Sequence, residues 1–128
     1  MENPKNYKYS KEHTWIKVNG SEGIVGITHF AQSELGEIVY IDVPNVGDDF
    51  KQDEVFGSVE ALKTVSDLFM PVSGEIISIN ENLADNPELV NEKPFDDGWI
   101  VKIKIENSEE LDALLNAEAY SDANKKES

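Results

Sequence analysis

The feature that most limits what this chain can fold into is its rhythm. Short β-branched stretches with apolar and polar positions in alternation are separated by turn formers, and no apolar run is long enough for a membrane span. Residues 13–18 and Glu22–Ile27 flank Asn19-Gly20, a pair that accepts the positive φ of a tight hairpin turn. Further strand-like stretches run over 37–43, 54–60, 64–69, Gly74–Ile79 and 99–105. Helical signals are brief. Thr28 reads as the N-cap of a segment ending at Leu35, with Gly36 as its stop. Asn86 reads as a cap with Pro87 in the first helical position. The best helix starts at Ser108 as cap, with Glu109 and Glu110 at its positive end and Leu111, Leu114 and Leu115 on one face. Beyond Tyr120 the chain is polar, and 121–128 is expected to be a frayed tail. Many short strands without a long helix predict an all-β sandwich or flattened barrel with short helices, in one domain over 1–128 with its core at about 9–120. Gly36-Glu37-Ile38-Val39-Tyr40-Ile41 is echoed by Gly74-Glu75-Ile76-Ile77-Ser78-Ile79, as two similar β-halves packed face to face would require.

Charge narrows the partners. The 26 acidic residues outnumber 11 basic ones, for a net charge of −15, which argues against nucleic acid and anionic membrane. Every basic residue is lysine, so the side chain best suited to gripping phosphates with paired hydrogen bonds is missing. With no cysteine there is no disulfide, thiolate metal site or thiol nucleophile, and any redox sulfur has to arrive on a cofactor. Two histidines, His13 and His29, cannot make a three-histidine metal site and read as half-buried or surface side chains. Gly20-Ser21-Glu22-Gly23-Ile24-Val25-Gly26 lacks the spacing of a dinucleotide loop, and neither a phosphate loop nor a nucleophile elbow is present. An autonomous enzyme is not expected. The start, Met1 to Lys8, resembles neither a signal nor a transit peptide, which predicts a cytoplasmic protein.

The informative segment is Phe56-Gly57-Ser58-Val59-Glu60-Ala61-Leu62-Lys63-Thr64-Val65-Ser66-Asp67-Leu68, nearly symmetric about Leu62. Such a run folds into a hairpin with Leu62 and Lys63 near the tip, and Lys63 is the only lysine between Lys51 and Lys93. Glu60 and Asp67 place one acid on each arm, and Gly74 opens the next strand after Pro71. A tip lysine serves solubility in most proteins. Here a modifying enzyme can close around one amine, so Lys63 is the candidate attachment site, with Glu60, Leu62, Asp67 and Gly74 as the recognition residues. Acylation turns the ammonium into a neutral amide bearing whatever the acyl chain carries. A cysteine-free chain suits a dithiol cargo, since no protein thiol competes in exchange.

These residues closely resemble the H proteins of the glycine cleavage system, the lipoyl carriers of that four-component complex. The resemblance runs from about Tyr9 to Tyr120 and includes Glu12-His13-x-Trp15, Gly23-Ile24-Val25-Gly26-Ile27-Thr28 and Ala31-Gln32-x-x-Leu35-Gly36-Glu37. It continues through the Lys63 hairpin, Pro71-Val72-Ser73-Gly74-Glu75, Pro87-Glu88-Leu89-Val90-Asn91 and Gly98-Trp99-Ile100-Val101-Lys102-Ile103. The family implies a lipoyl/biotinyl-type barrel-sandwich hybrid of two pseudo-symmetric sheets with a C-terminal helix. It implies (R)-lipoate on Lys63, attached by a lipoate ligase or a lipoyl/octanoyl transferase. It further implies an aminomethyl group received from the pyridoxal-phosphate P protein (glycine decarboxylase) and passed to the tetrahydrofolate-dependent T protein (aminomethyltransferase). The flavoprotein L (dihydrolipoyl dehydrogenase) then reoxidises the dithiol. The chain would be a monomeric carrier and not a catalyst.

By the same resemblance, Glu12 and Asp67 would hold the cationic arm in a groove by charge-assisted hydrogen bonds. One departure matters. The residue after His13 is often glutamate in this family and here is Thr14, so a carboxylate expected to face the amine is missing. That departure sustains a second reading, a relay protein donating lipoate to other acceptor domains. A 2-oxo-acid dehydrogenase lipoyl domain would show an Asp-Lys-Ala-type tip, and a biotin carrier would flank the lysine with methionines. The neighbours here are Leu62 and Thr64.

Overall fold

The apolar face of each alternating segment decides which side of its sheet meets the core. The structure, a computed structural model, describes residues 3–127 and the side chains of 3–124, so Met1, Glu2 and Ser128, the ends of the leader and tail readings, lie outside the described residues. In chain order the strands are β1 (Lys8–Tyr9), β2 (Thr14–Asn19), β3 (Glu22–Ile27), β4 (Ile38–Asp42), β5 (Asp49–Phe50), β6 (Val55–Ala61), β7 (Val65–Phe69), β8 (Gly74–Ile79) and β9 (Val101–Ile105). Among the described residues they form a six-stranded sheet, β1-β2-β3-β9-β8-β5, and a three-stranded sheet, β4-β6-β7, all antiparallel. The helices are α1 (His29–Leu35), α2 (Asn82–Asp85), α3 (Leu89–Glu92) and α4 (Ala117–Glu127), with a 3-10 helix at Ser108–Ala113. The mostly β fold of two sheets with short helices and a C-terminal helix is the one expected.

The inner faces of the sheets meet in one apolar cluster. Ile16, Val25, Ile76 and Ile103 come from the larger sheet, Ile41, Val59 and Leu68 from the smaller, and all are buried. Burying these branched side chains, each worth about 1.5–3 kcal/mol, is the main force holding sheet to sheet. A second, aromatic cluster joins Tyr7, Tyr9, Trp15, Phe95 and Tyr120. There the Trp15 indole N–H is shared between the carbonyls of Ile27 and Pro94, each at 2.9 Å.

Local signals held best where they were self-contained. Asn19-Gly20 turns β2 into β3, with Gly20 at φ +65°. The Thr28 hydroxyl caps α1 by accepting from the Ala31 N–H, and Gly36, at φ +81°, ends it. Each copy of the echoed Gly-Glu motif lies in a different sheet, but its glycines do different work. Gly36 turns the chain, whereas a Cβ on Gly74 would meet the Lys104 carbonyl oxygen at 2.8 Å across β8 and β9.

Three helical expectations need correction. Asn107, not Ser108, caps the segment after β9, its side chain accepting from the Glu109 N–H. That segment is a 3-10 helix ending at Ala113, so Leu111, Leu114 and Leu115 do not share an α-helical face. Leu115 instead exchanges backbone hydrogen bonds with Tyr9, at 2.7 and 2.8 Å, and tertiary pairing overrides the helical spacing. Asn86 closes α2 through its N–H to the Asn82 carbonyl, while its own carbonyl accepts from the Leu89 N–H at 3.1 Å, so a turn does open at Asn86-Pro87 but α3 itself starts only at Leu89. The frayed tail is in fact helical through Glu127. Asn116 caps it by accepting from the Ala119 N–H at 2.8 Å, and Tyr120 anchors it by stacking on Tyr9 at 5.0 Å.

Candidate functional site

Strands β6 and β7 pair as the mirrored sequence requires, with Glu60 opposite Val65, Val59 opposite Ser66 and Ser58 opposite Asp67. The Ala61 N–H donates to the Thr64 carbonyl at 2.8 Å, which leaves Leu62-Lys63 as the two-residue tip. The Leu62 N–H donates to the Glu37 carbonyl at 3.1 Å and braces the tip against the residue before β4. Lys63 is exposed, and among the described residues it has no ion pair. Its amine therefore stands in water on a braced turn, open to an incoming active site. Glu60 is half-buried beside it, Leu62 is exposed at the tip and Asp67 is exposed further down β7. Gly74 is not brought to the tip: it is buried at the start of β8, in the other sheet.

A groove of about 320 Å³ lies beside this hairpin. One wall is β6 and β7, through Val59, Ser66, Asp67 and Leu68; the second is the loop entering β2, through Glu12, His13 and Thr14. The third wall is α1, whose Phe30, Ala31, Glu34 and Leu35 recur at helical spacing on one face. The groove thus unites all three expected residues, Glu12, Thr14 and Asp67, and adds Glu34, His13 and Phe30, which sequence reasoning missed. The i, i+4 pair Phe30 and Glu34 was the available signal. Three carboxylates around an apolar floor of Ile27, Val59 and Leu68 suit a ligand with a hydrocarbon stem and a cationic end.

Thr14 is 1% exposed and its hydroxyl is already engaged. The Ser10 Oγ accepts from the N–H groups of Glu12 and Thr14, both at 3.2 Å, and lies 2.7 Å from Thr14 Oγ1. Thr14 Oγ1 donates to the Phe69 carbonyl at 3.2 Å, so the Ser10 hydroxyl supplies the proton of the Ser10–Thr14 bond. Thr14 therefore ties the β2 wall to the end of β7 and does not offer a charge to the groove. His13 next to it takes a positive φ of 69°, unusual for a side chain of its size. Its ring packs on Phe30, with centroids 4.8 Å apart, and its Nδ1 lies 2.6 Å from the Tyr120 hydroxyl. Tyr120 also meets Thr28 Oγ1 at 2.7 Å, so α4 holds two walls of the groove in place. His29 hydrogen-bonds Gln32 at 2.9 Å, outside the groove.

A braced, exposed lysine beside a groove, on a β scaffold, is the arrangement that a carrier domain would use to present a group to other active sites. Comparison with known proteins gives the particular kind. The family model described as glycine cleavage H-protein matches residues 7–127. The glycine cleavage system H protein of Bacillus cereus (strain AH187) is 51% identical over 122 residues, covering 95% of this chain and 96% of that one. That of Bacillus anthracis (strain A0248) is 50% identical over the same length. The crystal structure of the glycine cleavage system H protein from Mycobacterium marinum superposes with a TM-score of 0.87 at 32% identity, covering 96% of this chain and 99% of that one. The chain belongs to the glycine cleavage H-protein family and is a lipoyl carrier of that system, not itself an enzyme.

Proposed function

We propose that Lys63 is the residue of this chain that carries (R)-lipoate, and that the groove walled by Glu12, Glu34 and Asp67 receives the loaded arm. Attached to Lys63, lipoate would supply a disulfide able to accept the aminomethyl group of glycine. The residues present suit such a group. The Lys63 amine is exposed and unpaired by any carboxylate among the described residues, and Ser66 and Asp67 on the strand leaving the tip line the groove. Glu12, Glu34 and Asp67 offer charge to a cationic amine, and Phe30 and Leu68 exclude water from the stem. A tethered arm also keeps its cargo at an effective concentration on the order of millimolar near its partners. Those partners are the P, T and L proteins, with a lipoate ligase or a lipoyl/octanoyl transferase supplying the arm to a monomeric, single-domain chain. The observation that carries the reading is the placement of one braced, exposed lysine next to a groove rich in carboxylates.

The test is intact-mass analysis with peptide mapping after incubation with lipoate, ATP and a lipoate–protein ligase. A single lipoyl increment on Lys63 is expected. Lys63→Arg keeps the tip charge and the fold but offers no acylatable amine, so it should neither gain mass nor support glycine decarboxylation. Wild-type decarboxylation by that variant would remove Lys63 from the mechanism.

A further inference from the structure

The outer face of the three-stranded sheet is unusually apolar around Lys63. Tyr40, Glu60 and Val65 form one cross-strand row over β4, β6 and β7, turned away from the row of buried Ile41, buried Val59 and half-buried Ser66. Tyr40 is 53% exposed and Val65 59%, with Leu62 at the tip 69% exposed. Val39, 46% exposed, is the extra residue of a bulge where the β4 register shifts between Ile38 and Tyr40, so two consecutive apolar side chains stand beside the tip. Asp42 lies two residues beyond Tyr40 on the same face of β4, and exposed Glu37 precedes β4, so acid borders the patch. Large apolar groups on a short, exposed sheet invite self-association, and their retention calls for a partner that covers them.

We propose that Val39, Tyr40, Leu62 and Val65 form the docking surface for the enzyme that acylates Lys63, and that this partner offers an apolar hollow with a cationic rim. The inference rests on Lys63 being the attachment site. Proximity selects this partner over those that act later. An enzyme that works on the far end of an acyl arm need not touch the tip. The enzyme that forms the amide has to bring its active site to Nζ, and so onto the side chains around it. In that step the Lys63 amine attacks the carbonyl of a lipoyl adenylate made with ATP. The C–N bond forms, the bond from the carbonyl carbon to the phosphate oxygen breaks, AMP leaves, and the ammonium's two lost protons pass to solvent. Acid around the patch complements a cationic rim and speeds encounter in a salt-dependent way.

The test measures kcat/KM for acylation by a lipoate–protein ligase with lipoic acid and ATP, read as the mass increment on Lys63. Tyr40→Ser and Val65→Ser are each expected to lower it about tenfold, as truncated aromatic and apolar anchors do. Val18→Ser, at a comparably exposed apolar position in β2, should match the wild type. The same variants, lipoylated to completion, should be reduced by dihydrolipoyl dehydrogenase with NADH at the wild-type rate. Acylation of both variants at the wild-type rate would overturn the docking surface alone. So would an equal loss in both assays, since the patch would then not be specific to the acylating enzyme. Failure of the wild type to be acylated on Lys63 would overturn the attachment reading and this inference together.

Discussion

In the arrangement proposed above, single side chains divide into those that would present the arm and those that would shelter it. Lys63 would present it, and its exposure follows from its place in a two-residue turn at the hairpin tip. Asp67 would belong to the shelter, since it lines the groove from β7 while lying on the arm of the same hairpin. Asp67→Asn is therefore expected to shorten the lifetime of the aminomethyl-loaded form more than it slows lipoylation. The decay rate of the loaded form, followed by ammonia and formaldehyde release, compares the two effects, and equal lifetimes would refute the assignment. Glu34 bears on Thr14. The missing carboxylate after His13 was the ground for a lipoate-relay reading, yet α1 brings a carboxylate to the same groove from the opposite wall. Lys63 was legible because the mirrored run around it is contiguous in sequence. Glu34 was not, because its relevance depends on where α1 packs.

At the scale of elements, the hairpin is held in register by a backbone contact that admits no side chain. A Cβ on Gly57 in β6 would run into the Asp42 carbonyl oxygen of β4, and backbone at that place cannot rotate aside. Gly57→Ala is expected to destabilise the fold by about 1–3 kcal/mol, the usual cost of forcing extra volume into a packed site. Chemical denaturation of the two proteins checks this, and an unchanged midpoint would mean that β4 and β6 part without cost. The glycine's place in the mirrored run was visible in the sequence, but the strand that crowds it was not, because β4 precedes the hairpin in the chain. Capping was legible for α1, where Thr28 and Ala31 are local. It failed for the segment after β9, where Asn107 lies one residue before the serine that the pattern favoured.

The whole molecule adds the coupling between its C-terminal helix and the groove. Tyr7, Tyr9 and Tyr120 gather in the aromatic cluster, with the Tyr9 hydroxyl donating to the Pro4 carbonyl at 2.5 Å and Tyr7 to the Phe95 carbonyl at 3.0 Å. Burial is the main cause that raises the phenol pKa of Tyr9, followed by the nearby Tyr7 and Tyr120; for Tyr7, burial is followed by the charge of Asp96. A raised pKa in the folded state means that the neutral phenol is favoured there. Its contribution is fully present below the ordinary tyrosine value of about 10 and is lost as pH rises through the folded value. Thermal unfolding from pH 8 to 12 should show a Tm that falls from about pH 10 upward. A Tm unchanged over that range would show that these phenols ionise without disturbing the cluster.

The sequence by itself determined the β class, the turn at Asn19-Gly20, the cap of α1 and the lysine at a hairpin tip. Each of these depends on residues that are neighbours in the chain, so local propensity and alternation suffice to state them. It also carried the family, through long motifs in a constant order. Tertiary structure decided the rest. It joined Glu12, Glu34 and Asp67 around one groove, committed the Thr14 hydroxyl to Ser10 and Phe69, and set Tyr40 beside Val65 across an intervening strand. It also made a helix of the polar end by docking Tyr120 against Tyr9 and His13. Such pairings join segments distant in the chain, and their free energy comes from burial and hydrogen bonds that exist only once the two sheets have closed.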